Sequence, residues 1–286
     1  NNFIEIFPVI LSTTHSLRNS IPENYLMDYV IIDESSQVDI ITGILALSCC
    51  RNVVIVGDTK QLPQITDKKI QKQINNEVVN STYDYFNHSI LSSIIDLYKD
   101  YLPRIVLREH YRCHPKIIEF CNQKYYNGEL IPYTDNSLSK YPLILYKTTS
   151  GNHMRRVTNG EKKGVYNQRE LEVISEEVLA RLGDEIESEN IGIVTPYRKQ
   201  ADNAMKMVCS DVVSDTVHKY QGREKDVIIM STVLDSTQYG QMGLKFVDDS
   251  QMVNVAVSRA IRQFILVTDN ELFYKKGDNI SDLIRY

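Results

Sequence analysis

Asp28-Tyr29-Val30-Ile31-Ile32-Asp33-Glu34-Ser35-Ser36-Gln37 and Val53-Val54-Ile55-Val56-Gly57-Asp58-Thr59-Lys60-Gln61-Leu62-Pro63 are two versions of one pattern. Each is a four-residue apolar, β-branched run that ends abruptly in charge. Such runs read as strands buried on both faces, as in a parallel sheet. Open parallel sheets bind ligands beyond the carboxyl ends of their strands. Two adjacent acids there, Asp33 and Glu34, suit a magnesium–nucleotide site, in which one carboxylate serves the metal and the next orients a water. Taken alone, an apolar run before Asp-Glu equally describes the plain end of a strand. The second run, ending Gly-Asp-x-x-Gln-Leu-Pro, shifts the reading to function.

Asp-Glu-x-x-Gln followed by Gly-Asp-x-x-Gln-Leu-Pro resembles motifs II and III of superfamily 1 helicases. The similarity is greatest to the branch of the nonsense-mediated-decay RNA helicase and its DNA-helicase relatives. Further stretches resemble the family's other motifs, in family order. Phe7–Thr14 reads as a strand ending in hydroxyls and is similar to motif Ic, although Ser-Thr-Thr by itself is cap and turn chemistry. Arg104–Leu107 reads as a strand leading into Tyr111-Arg112-Cys113-His114-Pro115, similar to motif IV, with His110 where the family has Gln. Thr195-Pro196-Tyr197-x-x-Gln200 resembles motif IVa and opens a helix at Pro196. Thr216-Val217-His218-Lys219-Tyr220-Gln221-Gly222-Arg223-Glu224 resembles motif V, and Val253–Ala260, read as a helix start, resembles motif VI. The G-x-x-x-x-G-K-[ST] loop that cradles phosphates does not occur, so a first lobe truncated at its N-terminus is expected.

The resemblance implies an α/β protein of two tandem RecA-like parallel-sheet lobes, the first incomplete, at 1–100 and 101–286. It implies ATP held between the lobes, with Mg²⁺ on Asp33 and the attacking water on Glu34. Gln37 and Gln61 would sense the γ-phosphate, and Arg112 and Arg259 would reach it as arginine fingers. Tyr111 would lie near the adenine, Glu224 near the ribose, and Gln221-Gly222 in the turn that approaches the phosphates. Thr13, Thr14, Thr195, Thr216 and His218 would touch a single strand of DNA or RNA. The implied activity is ATP-driven movement on that strand. A degenerate helicase fold acting as a non-catalytic nucleic-acid-binding scaffold is the alternative. A simple nucleotide phosphatase needs no second lobe.

Composition agrees with an ordinary globular protein: 286 residues, 42% hydrophobic and 24% charged. A net charge of −5 gives no global attraction to nucleic acid, so binding must come from local basic groups. The five cysteines, Cys49, Cys50, Cys113, Cys121 and Cys209, are odd in number and lack C-x-x-C spacing, which argues against a disulfide framework or zinc site. No apolar run reaches membrane-span length, and no signal peptide opens the chain. A monomeric, cytoplasmic protein without a membrane partner is expected. A helix is expected over Gln37–Ser48 with Val38, Ile41, Leu45 and Leu47 as its apolar strip, and a helical piece over Lys68–Val78. Thr149–Asn167, with His153, Arg155, Arg156, Lys162 and Lys163, reads first as a solvated polar loop and second as a phosphate contact.

Overall fold

A computed structural model describes residues 2–67, 80–159, 163–208 and 210–286. The helical piece expected over Lys68–Val78 lies outside the described residues, as do Lys162 and Cys209. The chain forms two compact units, Asn1–Ile105 and Val106–Tyr286.

In the first unit, β1 (Met27–Ile32) and β2 (Cys50–Ile55) pair in parallel, with Val30 opposite Val53 and Ile32 opposite Ile55. Val30 and Ile32 pack with Ala46 in a small core, whereas Tyr29 and Ile31 are exposed. The expectation of burial on both faces is therefore corrected: among the described residues this pair is covered on one face. Between the strands runs α1 (Ile40–Leu47), capped by Asp39, whose carboxylate accepts the Thr42 N–H. Its inward face is Ile40, Thr42, Gly43 and Ala46, and Ile41 and Leu45 point outward. Of the apolar strip assigned from sequence, Val38 and Leu47 pack against the small core, whereas Ile41 and Leu45 are exposed and Ile40 takes the inward place. A Cβ on Gly43 would lie 2.7 Å from Ile90, the first residue of α2 (Ile90–Tyr98). Ser89 caps α2 through a capping box with Ser92.

Two expected strands are absent. Phe7–Thr14 and Arg104–Leu107 are irregular, and Val9, Leu11, Ile105 and Leu107 are each at least 77% exposed. β-branched composition favours a strand only where a partner and a surface to pack on exist, and neither stretch pairs among the described residues.

The second unit is built on a five-stranded, wholly parallel sheet of β5 (Leu143–Lys147), β8 (Ile191–Thr195), β9 (Val213–Thr216), β10 (Lys225–Ser231) and β11 (Ala260–Thr268), in the order β5-β11-β10-β8-β9. Val227, Ile229, Ile265 and Val267 face a core closed by Leu171, Ile174 and Val178. Those three come from a helical run that starts at Gln168–Glu172, widens to a π turn at Val173–Val178 and ends at Leu179–Leu182. The alternate residues Ile228, Met230, Phe264 and Leu266 are equally buried on the face covered by α3 (Pro115–Tyr125) and α6 (Ser250–Ser258). Continuous apolar runs are what burial on both faces demands. Between those helices in sequence lie α4 (Arg198–Met207), which starts two residues later than the expected Pro196, and the short α5 (Val217–Tyr220). The motif VI stretch is the end of α6 rather than a helix start, with Arg259 as its C-cap and β11 following at once.

Two small ladders complete the unit. β3 (Glu109–His110) pairs with β4 (Ile131–Pro132), and β6 (Met154–Val157) pairs antiparallel with β7 (Gly164–Asn167). Within the polar loop expected over Thr149–Asn167, the described residues Met154–Val157 and Gly164–Asn167 thus form an antiparallel ladder. Met154 and Val157 are separated by two arginines, so β6 carries no period-two alternation to reveal it as a strand.

Candidate nucleotide and nucleic-acid site

In the first unit the motif residues cluster at the carboxyl ends of the two paired strands. Asp33 follows β1 directly and is exposed, its Oδ1 accepting the Glu34 N–H at 2.8 Å. Glu34 has φ +48°, a left-handed conformation that costs an L-residue roughly 1–2 kcal/mol. Such strain persists where the surroundings dictate it, and they do so through the next residue. The Ser35 hydroxyl and N–H both donate to the Val56 carbonyl, at 2.7 and 3.0 Å. Gly57 leaves the necessary space, since a Cβ there would sit 2.4 Å from the Ser35 hydroxyl. The two motif loops are thereby fastened to each other. Beyond Gly57, Asp58 accepts the Lys60 N–H at 2.8 Å, and the Gln61 amide donates to it at 3.3 Å. Gln37 is exposed at the end of a 3₁₀ turn, Ser35–Gln37.

One exposed carboxylate beside a second suits Mg²⁺, which is held through one or two carboxylates together with substrate phosphates rather than by an all-protein cage. No cluster of three or more potential metal ligands occurs among the described residues. Thr13 accepts the Ser16 N–H on both its hydroxyl and its carbonyl, at 3.3 and 3.0 Å, and Thr14 is half-exposed beside it.

In the second unit the predicted residues divide between the two edges of one sheet. At the amino edge, Glu224 immediately precedes β10 and Arg259 immediately precedes β11. Arg112 forms an ion pair with Glu224, both side chains being partly exposed. Arg259 is only 4% exposed. His110 lies close to both guanidinium groups; burial first, then their charges, push its pKa down to about 4. It is therefore neutral, and its Nε2 accepts the Cys113 N–H at 2.9 Å. His114 is buried and caps α3: its Nδ1 accepts the Lys116 N–H and its Nε2 donates to the Asn136 carbonyl. Tyr111 is 66% exposed, and its ring stacks on Tyr133 with centroids 5.1 Å apart and planes at 13°. The β3–β4 ladder, extended by the Tyr133 N–H to the His110 carbonyl, produces this stack. Nothing in the sequence near Tyr133 pointed to it. Gln221 and Gly222 form the turn from α5 into β10, and Gly222 takes φ +77°, which favours glycine.

At the carboxyl edge, Thr195 and Thr216 end β8 and β9. Thr195 is fully buried, its hydroxyl facing the Tyr197 N–H at 3.5 Å. The half-exposed Thr216 hydroxyl accepts from Arg198, which also pairs with Asp215 at 2.6 Å. His218 is half-buried one turn further on, and desolvation lowers its pKa.

Comparison with known proteins identifies the family. A domain family described as AAA domain matches residues 86–271, and a second of the same description matches residues 1–69. The chain belongs to the AAA-domain helicases of superfamily 1. This helicase domain is 26% identical over 94% of its length to the DNA polymerase alpha-associated DNA helicase A of Saccharomyces cerevisiae, covering 43% of that protein. It is 26% identical over 91% of its length to the DNA replication ATP-dependent helicase/nuclease JHS1 of Arabidopsis thaliana, covering 20% of it. A putative ATP-dependent RNA helicase of Saccharomyces cerevisiae, ECM32, is 28% identical over 90% of the domain, which covers 26% of that relative. The domain thus spans less than half the length of these relatives. No described helix is long and apolar enough to cross a membrane.

Proposed function

We propose that this domain is the motor part of an ATP-dependent helicase that couples hydrolysis to movement on single-stranded DNA or RNA. The observation that carries the reading is the division of labour on the second unit's sheet. Arginines and an acid sit at its amino edge, and hydroxyls and an imidazole at its carboxyl edge. A sheet loaded at opposite ends in this way can pass a change at one ligand to the other through a rigid element.

Asp33 holds Mg²⁺ through its water shell. When bound, the ion would supply charge neutralisation to the phosphates. Glu34 orients the attacking water and takes its proton, while Gln37 and Gln61 read the γ-phosphate with amides that both donate and accept. Arg112 and Arg259 supply fixed positive charge to the developing negative charge, which a planar fork of donors does better than an ammonium. For Arg112 this means exchanging the Glu224 carboxylate for a phosphate and releasing Glu224 to a ribose hydroxyl. Tyr111, its far face backed by Tyr133, offers a flat surface to adenine. Thr13, Thr14, Thr195, Thr216 and His218 contact the strand.

Glu34→Gln in the intact protein tests the reading. An amide of the same size cannot accept the proton, so turnover should fall by about 10²–10⁴-fold while binding of Mg-ATP persists. A variant that keeps most of its nucleic-acid-stimulated ATPase would remove Glu34 from the mechanism.

A further inference from the structure

Several segments of the second unit meet on one buried carboxyl group at the carboxyl ends of its strands. Glu170, fully buried in the helical run that starts at Gln168, accepts the Ser231 hydroxyl at 2.5 Å and the Val233 N–H at 2.9 Å on Oε2. Its Oε1 lies 3.2 Å from the Thr232 hydroxyl, which lies 2.8 Å from that of Thr268 at the end of β11. The Gln200 amide of α4 donates to the Ser231 hydroxyl at 2.8 Å and to the Asn167 carbonyl at 3.2 Å, and it accepts the Asn167 N–H at 2.9 Å. Asn167 Nδ2 donates to the Val233 carbonyl at 3.1 Å. Val233, held from both sides, takes φ +73°, an outlier for a β-branched residue. Backbone strain that the surroundings enforce clusters at ligand clamps and switch regions.

Hydrogen counting assigns the roles. Ser231 accepts from Gln200, so its own proton goes to Glu170 Oε2, which the Val233 N–H also reaches; Oε2 is an acceptor. Oε1 faces two hydroxyls in series. In the neutral acid, Oε1–H donates to Thr232 and Thr232 donates to Thr268; in the carboxylate both hydroxyls turn round. The side chains that β7, α4, β10 and β11 bring to this network, Asn167, Gln200, Ser231, Thr232 and Thr268, carry no charge. Asp269 follows β11 and Asp235 follows β10, and both are negative. Arg169, on the same helix, pairs with Glu172 and Glu177 instead. Burial chiefly, with Asp269 adding to it, pushes the Glu170 pKa up to about 8 against the hydrogen bonds it accepts.

We propose that Glu170 is a positioning residue for nucleic-acid engagement, mounting α4 and the Val233 turn together on one buried carboxyl group. The inference rests on the helicase reading above and adds a residue which that reading does not use. Through Ser231, Glu170 fixes Gln200 and with it α4. At the start of that helix Arg198 donates to the Thr216 hydroxyl at 3.2 Å and pairs with Asp215, so the pose of α4 sets a side chain proposed to touch the strand. Glu170 does this as a neutral acid, its proton completing the chain through Thr232 to Thr268. Loss of the proton puts a second negative charge near Asp269 with no cation among the groups named above to offset it. A buried charge left in that state is costly, and the least costly relief is to release the strained Val233 turn and admit water.

The test is fluorescence anisotropy of a labelled oligodeoxyadenylate with the intact protein at pH 7 and pH 9, between which adenine does not titrate. His218, its pKa lowered from 6.5, is neutral at both. With a pKa of about 8, the neutral fraction of Glu170 falls from about 0.9 to about 0.1, so the apparent affinity should fall about tenfold. Glu170→Gln offers an amide that donates to Thr232 and accepts from Ser231 and Val233, as the neutral acid does. It should bind like the wild-type protein at pH 7 and keep that affinity at pH 9. Glu170→Ala strands the Ser231 hydroxyl and the Val233 N–H and should bind more weakly at both, with no step between them. Circular dichroism of each variant checks the fold. The same fall in wild type and Glu170→Gln, or weak binding by a folded Glu170→Gln at pH 7, would overturn the inference while leaving the helicase reading in place. A wild-type affinity unchanged from pH 7 to pH 9 would do so without any variant. Failure of the wild-type protein to bind the strand at either pH would overturn both.

Discussion

Arg112 and Arg259 carry the same proposed charge into opposite surroundings, so the two should separate stability from turnover. Arg112 is partly exposed and pairs with an equally exposed Glu224, an arrangement worth about 0–1 kcal/mol. Arg112→Ala should leave the urea midpoint almost unchanged while turnover in the intact protein falls at least about a hundredfold. Arg259 is buried, and truncating a large buried side chain costs about 2–4 kcal/mol through lost packing. Arg259→Ala should therefore lose both stability and turnover, and Arg259→Lys, which keeps the charge, should recover stability first. Equal midpoints for the two alanine variants would contradict the burial argument. His110 adds a pH signature. Its pKa is about 4 in the folded protein against an ordinary 6.5, so between these values the unfolded chain binds the extra proton. Its contribution to stability is complete above pH 6.5 and is lost as the pH falls towards 4. Denaturant midpoints at pH 7 and pH 5 should therefore diverge more in the wild-type protein than in His110→Gln. Matching pH dependence in the two would remove His110 as its source.

At the scale of elements, the junction of the two motif loops in the first unit rests on a glycine. A methyl group at Gly57 would lie 2.4 Å from the Ser35 hydroxyl and 3.1 Å from Leu91, and it must push the hydroxyl off the Val56 carbonyl. Gly57→Ala should cost about 1–3 kcal/mol, the range for overpacking. Because the clash and the hydrogen bond share one hydroxyl, Ser35→Ala combined with Gly57→Ala should destabilise by less than the sum of the single changes. Thermal unfolding of the four proteins measures this, and strict additivity would show that the clash is relieved elsewhere. The second unit achieves a similar fastening through hydrogen bonds: Ser231, Thr232 and the Val233 N–H converge on one buried carboxylate, Glu170. Burial is the chief reason that its pKa is pushed up to about 8.

For the whole molecule, the residues proposed to meet ATP in these 286 residues serve the γ-phosphate, the metal, the base and the sugar. The sequence contains acids, glutamines and arginines for the γ-phosphate, but no G-x-x-x-x-G-K-[ST] loop to supply N–H groups and a lysine to the other phosphates. A polypeptide of these 286 residues should bind ATP only weakly and turn over little of it. Isothermal titration giving a Kd near 1 µM, about −8 kcal/mol, would overturn this and imply an unrecognised phosphate-binding loop within the chain.

Local order alone settles much of this protein. A run such as Val227-Ile228-Ile229-Met230 is apolar at every position, so whichever way its side chains alternate both faces require cover; strand, sheet type and class follow from that. The motif stretches were recognised by their resemblance to a helicase family, and Asp33-Glu34, Asp58 with Gln61, and Gln221-Gly222 lie in short backbone turns that local spacing encodes. What depended on long-range partners was not legible. Phe7–Thr14 and Arg104–Leu107 have strand composition but join no ladder among the described residues, and the inward face of α1, with Gly43 close against Ile90, is fixed by what packs on it. Tyr133 meets Tyr111 only because β3 pairs with β4, and the Asp235 carboxylate, from beyond β10, holds a β6–β7 ladder whose charge disguised it as a loop. Each of these is a pairing between residues distant in sequence, fixed by burial and hydrogen bonding that no local pattern encodes.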